Sequence, residues 1–217
     1  MRRTQQAEFF SCFDYNVLIA DDCGCDWCGA SDALRDAVLT PAVLCYNQSM
    51  AVPMECGVVM LQAGQPAPGF DLPDADMQVV GLAGFRNRNN VVLYFYPKDD
   101  TPGCTMEAID FSDLQDAFLN LDTVVLGISM DDCLSHGSFR DKHGLSVQLL
   151  ADVDGEVCNN YGVLYEKEHD GRKKTCVQRS TFIIDKRGVL KHALYGISPR
   201  GHAAEVLGLV RSMRKCK

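Results

Sequence analysis

From residue 63 onward the apolar positions fall into short runs with clear periods. Residues 91–96, Val-Val-Leu-Tyr-Phe-Tyr, run unbroken between Asn90 and Pro97. Such a run is the signature of a strand buried on both faces, as in parallel sheets. Phe111, Leu114, Phe118 and Leu121 recur at spacings of three and four and predict a helix. Residues 124–128 form a second buried strand, after which Asp131 and Asp132 cap a helix running to about His143. A short strand over 148–151 and a short helix over 155–161 follow. Upstream, the turn-rich residues 64–69 lead into extended pieces at 70–72 and 78–82. Residues 175–184 and 189–195, joined by Asp185-Lys-Arg-Gly188, predict an antiparallel hairpin. A helix from about Gly201 to Arg214 closes the pattern. Strand–helix–strand–helix, then a hairpin and a helix, is an α/β plan with a mixed central sheet flanked by helices.

Before residue 63 that regularity is missing. Residues 1–62 hold three basic residues (Arg2, Arg3, Arg35) against eight acidic ones, and six of the eleven cysteines. Apart from a short helix expected at 31–39, with Ser31 as its cap, no period is sustained there. The expected division is therefore an N-terminal extension over 1–62, poorly ordered or reflecting a mis-assigned start, and a domain over 63–217. Met50, Met54 and Met60 each offer a later start. Within the extension, Cys23-Gly-Cys25-Asp-Trp-Cys28-Gly contains a C-x-x-C. A metal site needs about four ligands, however, and the region has no histidine. Adventitious cysteines are the expectation here.

Composition narrows the function classes. The 217 residues carry 21 Lys+Arg against 29 Asp+Glu, a formal net charge of −8, which disfavours a nucleic-acid or anionic-membrane surface. No apolar stretch approaches the roughly 20 residues of a membrane-spanning helix. An odd number of cysteines behind a start that lacks a signal-peptide pattern points to thiol chemistry in a reducing compartment, and a cytoplasmic location is expected.

The chemistry concentrates in Phe95-Tyr-Pro-Lys-Asp-Asp-Thr-Pro-Gly-Cys104-Thr-Met-Glu-Ala, where a buried strand turns into a helix. Cys104 falls in the first helical turn, where free backbone N–H groups and the helix dipole favour an anionic sulfur. Thr101 lies three residues earlier, within reach of the sulfur or of a substrate oxygen, and it also stands where a helix cap would. Pro97 ends the strand and shields one side, while Pro102 and Gly103 shape the helix start.

Pro97-x-x-x-Thr101-x-x-Cys104 resembles the peroxidatic-cysteine motif of the peroxiredoxins. The longer string FYPKDDTPGCTMEAIDFSD is similar to the peroxiredoxin Q, or bacterioferritin-comigratory-protein, branch. SHGSFRDKHGLSVQLLADVDGEV, QRSTFIIDKRG and SPRGHAAEVL match further blocks in the same order, so the resemblance spans about residues 63–217. It implies a thioredoxin-like fold, in keeping with the order of elements. It also implies that Cys104 attacks the terminal peroxide oxygen and becomes a sulfenic acid while Thr101 hydrogen-bonds the peroxide. Arg179, expected on the hairpin's first strand, matches the arginine that stabilises thiolate and developing oxyanion. Glu107 matches a polar position supporting that arginine.

The resemblance implies no metal or organic cofactor. The implied partners are a small hydroperoxide and a thiol reductant (thioredoxin, glutaredoxin or glutathione) acting on a monomer or weak homodimer. One departure stands out. Many branch members carry a resolving cysteine five residues after the peroxidatic one, where this chain has Ile109. Cys133, in the next helix, and an external thiol are the two alternatives. Cys158, Cys176 and Cys216 match no functional position, and the five histidines show no metal-ligand spacing. Residues 166–174 read as a solvated turn of mixed charge. A thiol–disulfide oxidoreductase would need a second cysteine at Glu107. A redox sensor or metal module would centre on Cys23, Cys25 and Cys28.

Overall fold

The structure, a computed structural model, describes residues 60–169 and 172–215. The expectations placed on residues 1–59, including the Cys23–Cys28 cluster and the helix at 31–39, lie outside the described residues, as does Cys216.

Three of the five strands of the central sheet run parallel: β3 (Asn90–Phe95), β4 (Thr123–Ser129) and β5 (Gln148–Ala151). A small antiparallel pair, β1 (Asp71–Pro73) and β2 (Val79–Gly81), precedes them. The sheet order is β5-β4-β3-β8-β9, where β8 (Ser180–Ile184) runs antiparallel to β3 and β9 (Leu190–Tyr195) antiparallel to β8. Helices α1 (Pro102–Asp113) and α2 (Gln115–Leu119) connect β3 to β4, and α3 (Cys133–His143) connects β4 to β5. A short α4 (Glu156–Asn160) follows β5, and α5 (His202–Lys215) ends the described chain. This mixed sheet flanked by helices is the architecture expected from the sequence.

Alternation along β3 divides the core into two layers. Val91, Leu93 and Phe95 pack with Phe182, Tyr161 and Leu150 on one face. Val92, Tyr94 and Tyr96 pack with Cys104, Phe111, Phe139 and Val206 on the other, beneath α1, α3 and α5. Burying each large side chain contributes roughly 1.5–3 kcal/mol, and α1 is seated on the second of these layers through Cys104, Ala108 and Phe111. Gly127 on β4 permits one close approach. A Cβ there would stand 2.6 Å from the Tyr94 ring, which lies across the strand to stack on Phe111 of α1.

Two expectations are corrected. The helix through Phe111 and Leu121 breaks at Leu114, because Ser112 Oγ donates back to the Ala108 carbonyl (2.8 Å) and also receives the Ser146 N–H (3.1 Å). Such back-bonding bends helices. The strand expected over 175–184 is also two strands. β7 (Arg172–Val177) pairs with β6 (Leu164–His169) in a separate hairpin, so most of the expected solvated turn at 166–174 is strand. Gln178 and Arg179 separate β7 from β8. The Gln178 N–H goes to the Val163 carbonyl (2.7 Å), and the Arg179 carbonyl receives the Ile197 N–H (3.1 Å). Arg179 therefore sits in this link, ahead of a strand interior to the sheet, and not on the hairpin's first strand.

Candidate active site

β3 ends at Phe95, and the chain bends through the exposed Pro97 into the loop 98–101. Helix α1 opens with Pro102, whose missing N–H costs nothing at a position without an intrahelical acceptor. Thr101 is the N-cap residue in extended conformation, and Cys104 is the third helical residue. Its sulfur thus lies in the turn whose N–H groups and dipole favour negative charge. Cys104 is only 2 % exposed.

Arg179 completes the site from 75 residues away. Its Nη2 donates to Cys104 Sγ at 3.1 Å, and its Nη1 pairs with Glu107 Oε2 one helical turn further along α1. Gly103 faces the same guanidinium and Pro199, and a Cβ there would meet them only at ordinary contact distances of 3.8 and 3.4 Å. Burial opposes the Arg179 charge, but Glu107 and the Cys104 sulfur outweigh it and hold the guanidinium above its ordinary value. Glu107 is fully buried; desolvation lifts its carboxyl to about 7, with Arg179 pulling it back only part of the way. Glu107 Oε1 has no hydrogen-bond partner among the described residues. A buried cation is thus divided between a thiol sulfur and a carboxyl group that titrates near neutrality.

Cys104, Arg179 and Glu107 are therefore brought together in space. Thr101 holds the cap position, but its side chain makes no capping bond; the hydroxyl donates to the Lys98 carbonyl (3.1 Å). Cys133 opens α3 and is partly exposed. Both α1 and α3 start at the carboxyl ends of adjacent parallel strands, so Cys104 and Cys133 lie at the same edge of the sheet. Ile109 is exposed on the outer side of α1, where it joins Pro102, Met106 and His143 around a groove of about 490 Å³. Cys158 is a buried core residue whose thiol is pushed up by burial and by Asp152.

Sequence reasoning left out the groups behind the loop. Asp99 and His136 are buried together there, and each stood inside a block that carries the family resemblance. His202 is buried beside the site as well. Its Nε2 lies 2.9 Å from Thr181 Oγ1, and burial, with Arg179 nearby, lowers it to about 4. Among the described residues no cluster of three or more His, Cys, Asp or Glu is arranged to hold a metal ion.

Comparison with known proteins decides the family. The AhpC/TSA family profile matches residues 63–193. The chain belongs to the AhpC/TSA family. It is 43% identical over 148 residues to the putative peroxiredoxin bcp of Coxiella burnetii, covering 68% of this chain and 97% of that one. It is 38% identical to peroxiredoxin Bcp of Bacillus subtilis, covering 70% and 97%. Among solved structures, the bacterioferritin comigratory protein of Xanthomonas campestris, described for its alkyl peroxide reduction activity, superposes with a TM-score of 0.65. That match has 30% identity and covers 71% of this chain and 98% of that one. This family member is accordingly a peroxiredoxin, a thiol-dependent peroxidase on a thioredoxin-like fold.

Proposed function

We propose that Cys104 is the peroxidatic nucleophile and that Arg179 and Thr101 bind the reacting oxygens. The observation that carries this reading is the 3.1 Å contact from the Arg179 guanidinium to the Cys104 sulfur in a buried helix start. A thiolate there attacks the terminal oxygen of a hydroperoxide. The S–O bond forms as the O–O bond breaks, and the departing alkoxide or hydroxide takes a proton to leave as alcohol or water. The sulfur is left as sulfenic acid. Fixed positive charge and N–H donors are the means of stabilising the negative charge that develops on the leaving oxygen. Pro97 shapes the bend that delivers the loop, and Glu107 holds the guanidinium in place.

The substrates in this reading are hydrogen peroxide and organic hydroperoxides. A thiol then condenses with the sulfenic acid, releasing water and forming a disulfide, which a second thiol reduces. Cys133 and an external thiol are the two candidates for the first of these. The reductant is thioredoxin, glutaredoxin or glutathione, the enzyme works in the cytoplasm as a monomer or weak homodimer, and residues 63–217 are its catalytic domain.

The test is a mass map of protein treated with stoichiometric peroxide, together with a Cys104→Ser variant. The variant should lose nearly all turnover. A Cys104–Cys133 bond would assign the resolver, and a Cys104 adduct with Cys133 free would assign an external thiol. Turnover retained without Cys104 would refute the reading.

A further inference from the structure

The loop between β3 and α1 is fastened to α3 far more firmly than a connection requires. Asp99 is buried, and its carboxylate is surrounded by donors. Oδ1 accepts from the Tyr96 hydroxyl (2.7 Å), and Oδ2 from Ser135 Oγ (2.7 Å) and His136 Nδ1 (2.9 Å). A carboxylate only accepts, so Nδ1 is the protonated nitrogen of this contact. The Asp99 N–H donates in turn to Asp131 Oδ2 (2.8 Å), which also holds Ser129 Oγ (2.9 Å). Burial works against the Asp99 charge, yet the His136, Tyr96 and Ser135 contacts prevail and keep it below the ordinary carboxylate range.

The grip continues along the chain. Asp100 adopts a left-handed conformation (φ 55°), uncommon outside glycine, and is held by Lys142 and by His143 Nε2 (2.7 Å) at the far end of α3. Thr101 is tied to the Lys98 carbonyl. Residues 98–101 are thus fixed one after another immediately before the helix that presents Cys104. His136, fully buried on α3, is the innermost of these anchors, and it touches neither Cys104 nor Arg179 in any hydrogen bond.

We propose that His136, acting through Asp99, is a positioning residue for peroxide attack. It holds the loop so that Thr101 and the first turn of α1 keep the sulfur against Arg179. This rests on the assignment of Cys104 as nucleophile. Hydrogen bonds to a buried charge are individually strong, and their geometry is transmitted to whatever the loop carries. The proposal makes opposite demands on the two half-reactions. Attack needs the fixed geometry. Resolution needs the almost completely buried Cys104 to open toward a second thiol, which a looser loop would ease.

The experiment is stopped-flow measurement on the full chain, following hydrogen peroxide attack on the reduced protein and then reduction of the sulfenic acid by glutathione. His136→Leu should slow attack by about 10- to 100-fold, the scale expected of a misplacement near 1 Å, while its reduction by glutathione proceeds at least as fast as in the wild type. His136→Asn can present an amide donor where Nδ1 stands and should restore attack to within about threefold of wild type. Normal attack in His136→Leu, an Asn variant no faster than the Leu variant, or both half-reactions slowed together would each overturn the proposal. Should His136→Leu not fold, Tyr96→Phe and Ser135→Ala each remove one donor from Asp99 and keep the shape. Wild-type attack in both would overturn it equally. Turnover retained in Cys104→Ser would bring down the nucleophile assignment and this proposal with it, whereas normal attack in His136→Leu with Cys104 essential removes only this one.

Discussion

Two buried carboxyl groups flank the start of α1, and the protein treats them in opposite ways. Asp99, before the helix, has three donors on its two oxygens and is held below the ordinary carboxylate range. Glu107, inside the helix, meets only Arg179, leaves Oε1 unpartnered among the described residues, and is lifted to about 7. A saturated carboxylate fixes geometry, because any movement breaks several charged hydrogen bonds at once. An under-satisfied one is a movable charge, since it gains or loses its proton near neutrality at little cost. The loop is built for shape and the Arg179 site for electrostatics.

Arg179→Ala is the harshest test of that division. It removes the donor to the sulfur and the counter-charge of Glu107 in one step. Loss of a single preorganised donor of this kind typically costs about 10²–10³-fold in rate, and a fall of that size in peroxide attack is expected here. Removing one partner of a buried ion pair commonly destabilises by about 3–5 kcal/mol. Here the loss should fall below that range, because Glu107 can bind a proton in place of the cation. Stopped-flow rates and denaturant midpoints read the two effects separately. A large stability loss with near-normal attack would reverse the comparison and make Arg179 a structural residue.

The sequence exposed some of this arrangement and hid the rest. β3, β4 and β5 were readable because strands buried on both faces leave unbroken apolar runs, and Asp132 declared the start of α3 by capping it through Ser135 N (2.8 Å). The β6–β7 hairpin was hidden because it lies outside the main sheet and pairs charged residues such as Glu168 with Lys173, so no apolar alternation marks it. Nothing local joins Arg179 to Cys104 across 75 residues, and the pairing was legible only through the motif resemblance. Asp99 and His136 are 37 residues apart and polar, and both look like surface residues until the fold buries them against each other. Long-range polar contacts leave no periodic trace.

The smallest expected effect is also the finest measure of the movable charge, because two groups beside Arg179 oppose each other. Glu107 rises from 4.5 in the unfolded chain to about 7 in the fold. Between those values the native state holds a proton that the unfolded state has released, so this group makes stability fall as pH rises. His202 drops from 6.5 to about 4, so there the unfolded state holds the extra proton and stability rises with pH. The windows overlap from 4.5 to 6.5, so these two slopes oppose each other there, while burial of His192, which holds it below 6.5, adds a rise with pH that the wild type and both variants share. Asp74, Asp99 and Asp185 are all held below 3.8 and so take effect at lower pH. Glu107→Gln should uncover the His202 slope, with denaturant midpoints climbing from about pH 4 to 6.5. His202→Gln keeps a polar group where Nε2 meets Thr181, and it should uncover the reverse, a decline from 4.5 to about 7 relative to the shared rise. Each slope approaches at most about 1.4 kcal/mol per pH unit, the limit for one proton. If both variants keep the wild-type profile, the Glu107 carboxyl is as fixed in charge as Asp99, and the distinction between a geometric and an electrostatic carboxyl group fails at this site.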